Sequence, residues 1–273
     1  MSVPRSIFFR ISLAGSFALT VSAAPAGAQA PAEEPVSAKV WVGRAQEFEA
    51  FLANAELDRV EEIPVGVTKP LRGYFVAGGL LESMSFKGIQ PGRHKGFWES
   101  YRSEIAAYEL DKLLELQMIP PTVEKRVKGS LGAAVMWVKP VKSFKDLGGP
   151  PTPPPVHAAR WNRQILRAKM FDCLIYNTDP NLGNWLVDPA WNLILIDHTR
   201  SFTADKEMAH NLQRIDSELW QRMKALTEEQ LTQVLDKWLD KRMIRGMLAR
   251  RDMMQVEIDT LVAEKGEAAV FMQ

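Results

Sequence analysis

The sequence predicts an α+β fold in two lobes, a small lobe built on a mixed sheet followed by a mainly helical lobe. Three observations carry this. Residues 63–87 set short apolar runs between Gly66, Pro70, Gly73, Gly78 and Gly79, the punctuation of a small antiparallel meander. Residues 148–155 are rich in glycine and proline and break the chain. Residues 158–176, and then the chain from 206 almost to its end, repeat apolar side chains at helical spacing.

The first segment reads as a leader. Arg5 and Arg10 give a positive start, residues 11–24 are apolar and small without charge, and Ala26, Gly27 and Ala28 supply the small residues a signal peptidase requires. Cleavage after Ala28 and an exported location, periplasmic or extracellular, are expected. The alternative is an uncleaved anchor. However, the uncharged run 11–32 is diluted by Ser, Gly, Pro and Gln and is weak against the roughly 20 predominantly apolar residues of a spanning helix. No second run of that length follows, so no stable membrane span is expected after cleavage. The mature chain of about 245 residues is enough for two lobes sharing a cleft. Lys plus Arg number 34 against 33 Asp plus Glu, which removes the electrostatic footprint of a nucleic-acid binder. Cys173 is the single cysteine, so no intramolecular disulfide can form. Its place in the apolar run 171–176 predicts a small buried hydrophobe.

Residues 29–40, rich in Ala, Pro and Glu, form a linker. Residues 41–60 carry Phe48, Phe51, Leu52 and Ala55 at helical spacing and predict an amphipathic helix. After the meander, helix returns at Tyr101. The apolar positions Ile105, Ala106, Leu110, Leu113 and Leu114 continue it, and Pro120 and Pro121 end it. Strands are predicted at 122–128 and 133–139 around a turn at Gly129. The small lobe then spans 41–147, a Pro-rich linker 148–157 and the helical lobe 158–273. Within the last come a helix over 158–176, a polar loop at 177–184, a strand at 185–187, a turn at Asp188 and Pro189, and a strand at 193–196. Trp220 and Trp238 are expected in the helical core. No internal repeat is visible.

The informative chemistry lies in NTDPNLGNWLVD, beginning at Asn177, and in LILIDHTRSF, ending at Phe202. Phosphoryl transfer asks a protein chiefly to position the reactants and to neutralise charge on the phosphates. One carboxylate must orient an acceptor hydroxyl and take its proton. An amide oxygen and a second carboxylate must hold a metal that prefers hard oxygen donors. Asp179, Asn184 and Asp197 have that chemistry in that order, five and then thirteen residues apart, and the protein-kinase catalytic loop spaces its Asp and Asn by the same interval. Singly, each could be an ordinary turn residue. A strand lysine for the phosphates and a helix glutamate to hold it are also required. Lys87 and Glu104 stand in the expected places, although a solvated strand end and a favourable helix-start charge would explain them equally. The loop from Gly66 to Gly73 could cover phosphates but is not a regular glycine-rich motif.

The run SEIAAYELDKLLELQMIPPTVE from Ser103 resembles the secretory-pathway kinases of the four-jointed type, in which a helix with Glu leads into a Val-Pro-Pro stretch. Asn177 to Asp179 and Gly183 to Leu186, followed by Ile196 and Asp197, resemble the catalytic loop and metal site of the type II phosphatidylinositol 4-kinases. The HipA-like kinases share that loop logic. The resemblance covers roughly residues 63–203 and implies a protein-kinase-like fold with ATP and Mg²⁺ or Mn²⁺ as cofactors. It implies that Lys87 contacts the ATP phosphates, Glu104 pairs with Lys87, Asp179 is the catalytic base, and Asn184 and Asp197 hold metal. It puts the adenine-contacting hinge at 136–139, with Met136 and Val138 as the binding residues, and makes 161–176 the helix that delivers the loop. Two positions depart from the pattern. Pro180 stands where these families often place Arg, and His198 replaces the Phe or Asn that commonly follows the metal Asp.

The partner implied is a hydroxyl-bearing acceptor, on a protein, a lipid headgroup or a small molecule. The alternative from another class is a pseudokinase that keeps the fold and uses its cleft for a ligand. A metal-dependent hydrolase is disfavoured because His94, His157, His198 and His210 show no close ligand spacing.

Overall fold

The computed structural model describes Met1, residues 35–63 and residues 70–272. The leader with its cleavage position, the first part of the linker at 29–34, and residues 64–69 of the proposed phosphate-covering loop lie outside the described residues. Among the described residues no helix is long and apolar enough to cross a membrane.

The small lobe opens with α1 (Ala45–Asn54), β1 (Leu57–Glu62), β2 (Leu71–Phe75) and β3 (Ser83–Lys87). The helix expected over 41–60 is therefore shorter. Ala55 adopts extended backbone and closes α1 through its N–H to the Phe51 carbonyl, and the residues beyond pair with β2. Propensity in that tail yields to the antiparallel ladder. A hairpin of β4 (Gly92–His94) and β5 (Phe97–Glu99), unforeseen from the sequence, precedes α2 (Tyr101–Leu113). Ser100 caps α2, its side chain accepting from the Arg102 N–H.

Strands β6 (Thr122–Val127) and β7 (Ser130–Met136) complete an antiparallel sheet in the order β1-β2-β3-β7-β6. The strand expected over 133–139 is thus displaced toward its turn. It ends at Met136, beyond which the Trp137 N–H bonds the Ser83 carbonyl. Strand alternation sorts the two faces. Ser85 and Lys87 pair with Val135 and Ala133 on one face, and Met84 and Phe86 pair with Met136 and Ala134 on the other. Tyr101 and Ile105 of α2 pack on the first face with Ala133 and Val135. Phe48 and Leu52 of α1 cover the second.

The chain continues through β8 (Lys142–Ser143) into α3 (Pro155–Ile175). This helix begins three residues before its expected start, because Pro155 at the first helical position lacks only an N–H that would be unpaired there anyway. Strands β9 (Trp185–Val187) and β10 (Leu193–Leu195) form an antiparallel hairpin, with β8 along β9. Next come β11 (Ile215–Asp216), α4 (Ser217–Ala225), α5 (Glu228–Leu235), α6 (Lys241–Lys265), α7 (Glu267–Val270) and β12 (Phe271–Met272), the last pairing with β11. The helical core gathers Phe171 and Leu174 of α3 with Trp220, Ile244, Met247 and Met254. Trp220 is buried there, whereas Trp238 is partly buried at its edge. Cys173 is buried, its thiol donates to the His210 carbonyl at 3.3 Å, and burial pushes it up to about 12.

Candidate functional site

The polar loop leaves α3 through a left-handed residue, Tyr176, with φ 52°. The exit is fixed by the buried Asp172 one turn back. Its carbonyl accepts the Asn177 N–H at 3.0 Å, and its Oδ1 accepts the Asn177 side-chain amide at 3.0 Å. The Asn177 Oδ1 in turn accepts the Asp179 N–H at 3.1 Å, so the position of Asp179 is set from the helix end. His210 Nε2 lies 3.3 Å from the second Asp172 oxygen.

Within the loop, Asn181 donates to Asp179 Oδ1 at 3.0 Å. Asn184 donates its side-chain amide to the Asp179 carbonyl at 3.1 Å, which leaves the Asn184 Oδ1 as an acceptor. The Asn184 carbonyl accepts the Ile196 N–H at 3.0 Å. One residue later Asp197 adopts φ 64°, a left-handed backbone that is uncommon for a residue with a side chain and concentrates at functional sites.

Asp197 meets the small lobe directly. Lys87, the last residue of β3, lies 2.5 Å from Glu104 Oε1 and 2.9 Å from Asp197 Oδ1. Lys87 and Glu104 are 9% and 2% exposed in their side chains, and a charge so buried requires partners. Burial by itself would push the Lys87 ammonium down, but the charges of Asp197 and Glu104 overcome this and hold it above its ordinary value. Loss of hydration would by itself raise the Asp197 carboxyl, yet the Lys87 ammonium, aided by the Thr199 hydroxyl 3.0 Å away, holds it at about 2. Glu104 Oε1 also accepts the His198 N–H at 2.8 Å, so one carboxylate fixes both the lysine and the backbone after Asp197. The His198 ring is buried edge-on against Phe171, and burial holds it below its ordinary value, in the neutral form.

The structure thus brings Lys87, Glu104 and Asp197 into contact, and joins Asp179 to Asn184. The Ile196 N–H links the two groups. Met136 and Val138 are placed differently. Their side chains are buried with Phe75, Met84 and Ile194, and Met136 points to the sheet face opposite Lys87. Among the described residues no group of three His, Cys, Asp or Glu could hold a metal by itself. Asp197 and Asn184 offer two hard oxygen donors, which fits a cation that completes its shell from phosphates and water.

Sequence reasoning missed Arg200 and Glu99. Arg200 Nε donates to Glu99 Oε1 at 2.7 Å, and its Nη1 lies 3.5 Å from Asp179 Oδ2. The available signal was an arginine three residues beyond Asp197, in a chain that carries Pro180 where the families it resembles often place Arg.

No protein-family model matches the chain, and no curated protein matches it. Solved structures do. The Golgi casein kinase with Mn/ADP bound is 14% identical over 84% of this chain and 78% of its own, with a TM-score of 0.63. Hydra Fam20 with sugar is 15% identical over 84% of this chain and 92% of its own, with a TM-score of 0.64. The Helicobacter pylori proinflammatory kinase CtkA is 10% identical over 79% of this chain and 97% of its own, with a TM-score of 0.51. The chain has a kinase-like fold, with a sheet-rich N-terminal region and a helical C-terminal region, as the sequence led us to expect.

Proposed function

We propose that this chain is an exported phosphotransferase that moves the γ-phosphoryl group of ATP to a hydroxyl acceptor with Mg²⁺ or Mn²⁺. The observation that carries the reading is the buried Lys87 shared between Glu104 and Asp197, with Asp179 and Asn184 in the adjoining loop. A purely structural ion pair needs one carboxylate. Here two converge on the ammonium, from the helix and from the hairpin. The fold shared with a kinase that binds Mn and ADP adds support.

In this reading Lys87, kept charged by its partners, engages the phosphates, and Glu104 fixes its reach. Asn184 Oδ1 and Asp197 would hold the metal, which when bound neutralises charge on the phosphates. Asp179 takes the acceptor's proton on a carboxylate oxygen. As it does so the acceptor oxygen bonds to the γ-phosphorus, the bond from that phosphorus to the β,γ-bridging oxygen breaks, and ADP leaves. The hinge at 136–139 would meet the nucleobase through its backbone, since the Met136 and Val138 side chains are in the core.

The test is the melting temperature of the mature chain with ATP and Mn²⁺ or Mg²⁺, against metal alone, in wild type and Asp197→Asn. A rise that needs nucleotide and metal together and vanishes in the variant is expected. No rise at millimolar nucleotide would overturn the proposal. Export is tested separately by sequencing the N-terminus of the chain recovered outside the cytoplasm, which is expected to begin at Gln29.

A further inference from the structure

Arg200 is held through both its side chain and its backbone. Its Nε bonds Glu99 at 2.7 Å, its guanidinium lies 4.5 Å from the Phe97 ring centroid, and its carbonyl accepts both the N–H and the hydroxyl of Thr178 at 3.4 and 3.0 Å. Glu99 is itself buried at the end of β5, next to the cap of α2. The Ser100 N–H bonds the Thr199 carbonyl at 2.9 Å, which ties the same two segments together through the backbone. Arg200 Nη1 then lies 3.5 Å from Asp179 Oδ2 and is the one cation within ion-pair distance of that carboxylate among the described residues.

We infer that Arg200 is a positioning residue for Asp179, setting the orientation of its carboxylate from the element that also starts α2. The inference rests on the phosphotransfer reading above. A planar guanidinium bonded on one edge by Glu99 has a fixed plane, so its remaining N–H groups point in a fixed direction. A carboxylate in contact with it loses rotational freedom about its last torsion. Asn181 restrains Asp179 Oδ1 from the other side. Arg200 touches neither phosphate nor acceptor in this role. It acts through Asp179, much as the third member of a catalytic constellation orients the base. It also makes α2, which carries Glu104, and the loop that carries Asp179 answer to one anchor.

The test uses ATP with Mn²⁺, water serving as acceptor, and follows ADP formation in wild type, Arg200→Gln, Arg200→Lys and Glu99→Gln. The melting shift with ATP and Mn²⁺ is read in parallel. In Arg200→Gln, kcat is expected to fall on the order of a hundredfold, as small misplacement of a reacting group can produce, while KM for ATP and the melting shift hold within about twofold. Arg200→Lys recovers part of kcat because it keeps the charge without the fork. Glu99→Gln, which leaves Arg200 in place but loosened, lowers kcat by about tenfold and serves if Arg200→Gln does not fold. An unchanged kcat in the variants, or a parallel change in kcat and KM, overturns the inference. A wild type that binds ATP without turning it over also overturns it. Absence of any ATP-dependent melting shift in wild type overturns the phosphotransfer reading itself.

Discussion

Asp197 meets the Lys87 ammonium and the Thr199 hydroxyl through one side chain, and its protonation gives a direct handle. Its carboxyl lies at about 2 against an ordinary 3.8. Because the folded value is depressed, the stability it lends is complete above pH 3.8 and is lost as pH falls through about 2. In Lys87→Met the cation responsible is gone, and the acid-unfolding curve, followed by circular dichroism, is expected to flatten between those two values. Glu104 is the second sensitive residue, since its carboxylate serves Lys87 and the His198 N–H together. Glu104→Gln keeps the acceptor for His198 but leaves the buried ammonium with one partner fewer. It is expected to cost about 3–5 kcal/mol, the usual cost of breaking a buried pair, measured by urea unfolding. A loss below 1 kcal/mol would show that the pair is solvated and loose.

Among the elements, α2 and the β3–β7 ladder aim the site. The Ser100 cap satisfies an N–H at the start of α2, one turn ahead of Glu104. Ser100→Ala is expected to lower stability by roughly 0.5–2 kcal/mol and to weaken the ATP-dependent melting shift, because fraying of that turn frees the Glu104 backbone. Gly132 of β7 has a different role. A Cβ there would strike the Lys87 carbonyl oxygen and the Phe86 ring, so the two strands approach closely only because that position has no side chain. Gly132→Ala is expected to cost about 1–3 kcal/mol by overpacking, read as a lower denaturation midpoint at unchanged slope. A neutral result would mean that the ladder can spread without disturbing Lys87.

For the whole molecule, the long helix α6 holds the ends of α3 and of the segment after Asp197 in one arrangement. Arg250 of α6 is fully buried and bonds the carbonyls of Leu174, Thr203 and Asp205 at 2.9, 3.1 and 2.5 Å. Burial lowers it to about 10. Arg250→Leu leaves those carbonyls unpaired and is expected to cost about 3 kcal/mol or more, with faster hydrogen exchange across residues 200–206 as the local signature. The sequence by itself determined the α+β order and the helix–loop–hairpin succession that carries Asp179, Asn184 and Asp197. Each of these is written in a short window, where apolar period and turn chemistry act between near neighbours. Tertiary structure alone decided that Lys87, besides pairing with Glu104, also reaches Asp197, that Met136 turns away from them, and that Glu99 holds Arg200 beside Asp179. Those facts depend on strand register and on contacts across about a hundred residues of chain. A one-residue slip in register would have reversed the face on which Lys87 stands, and local pattern does not encode which long-range pairing the packed core selects.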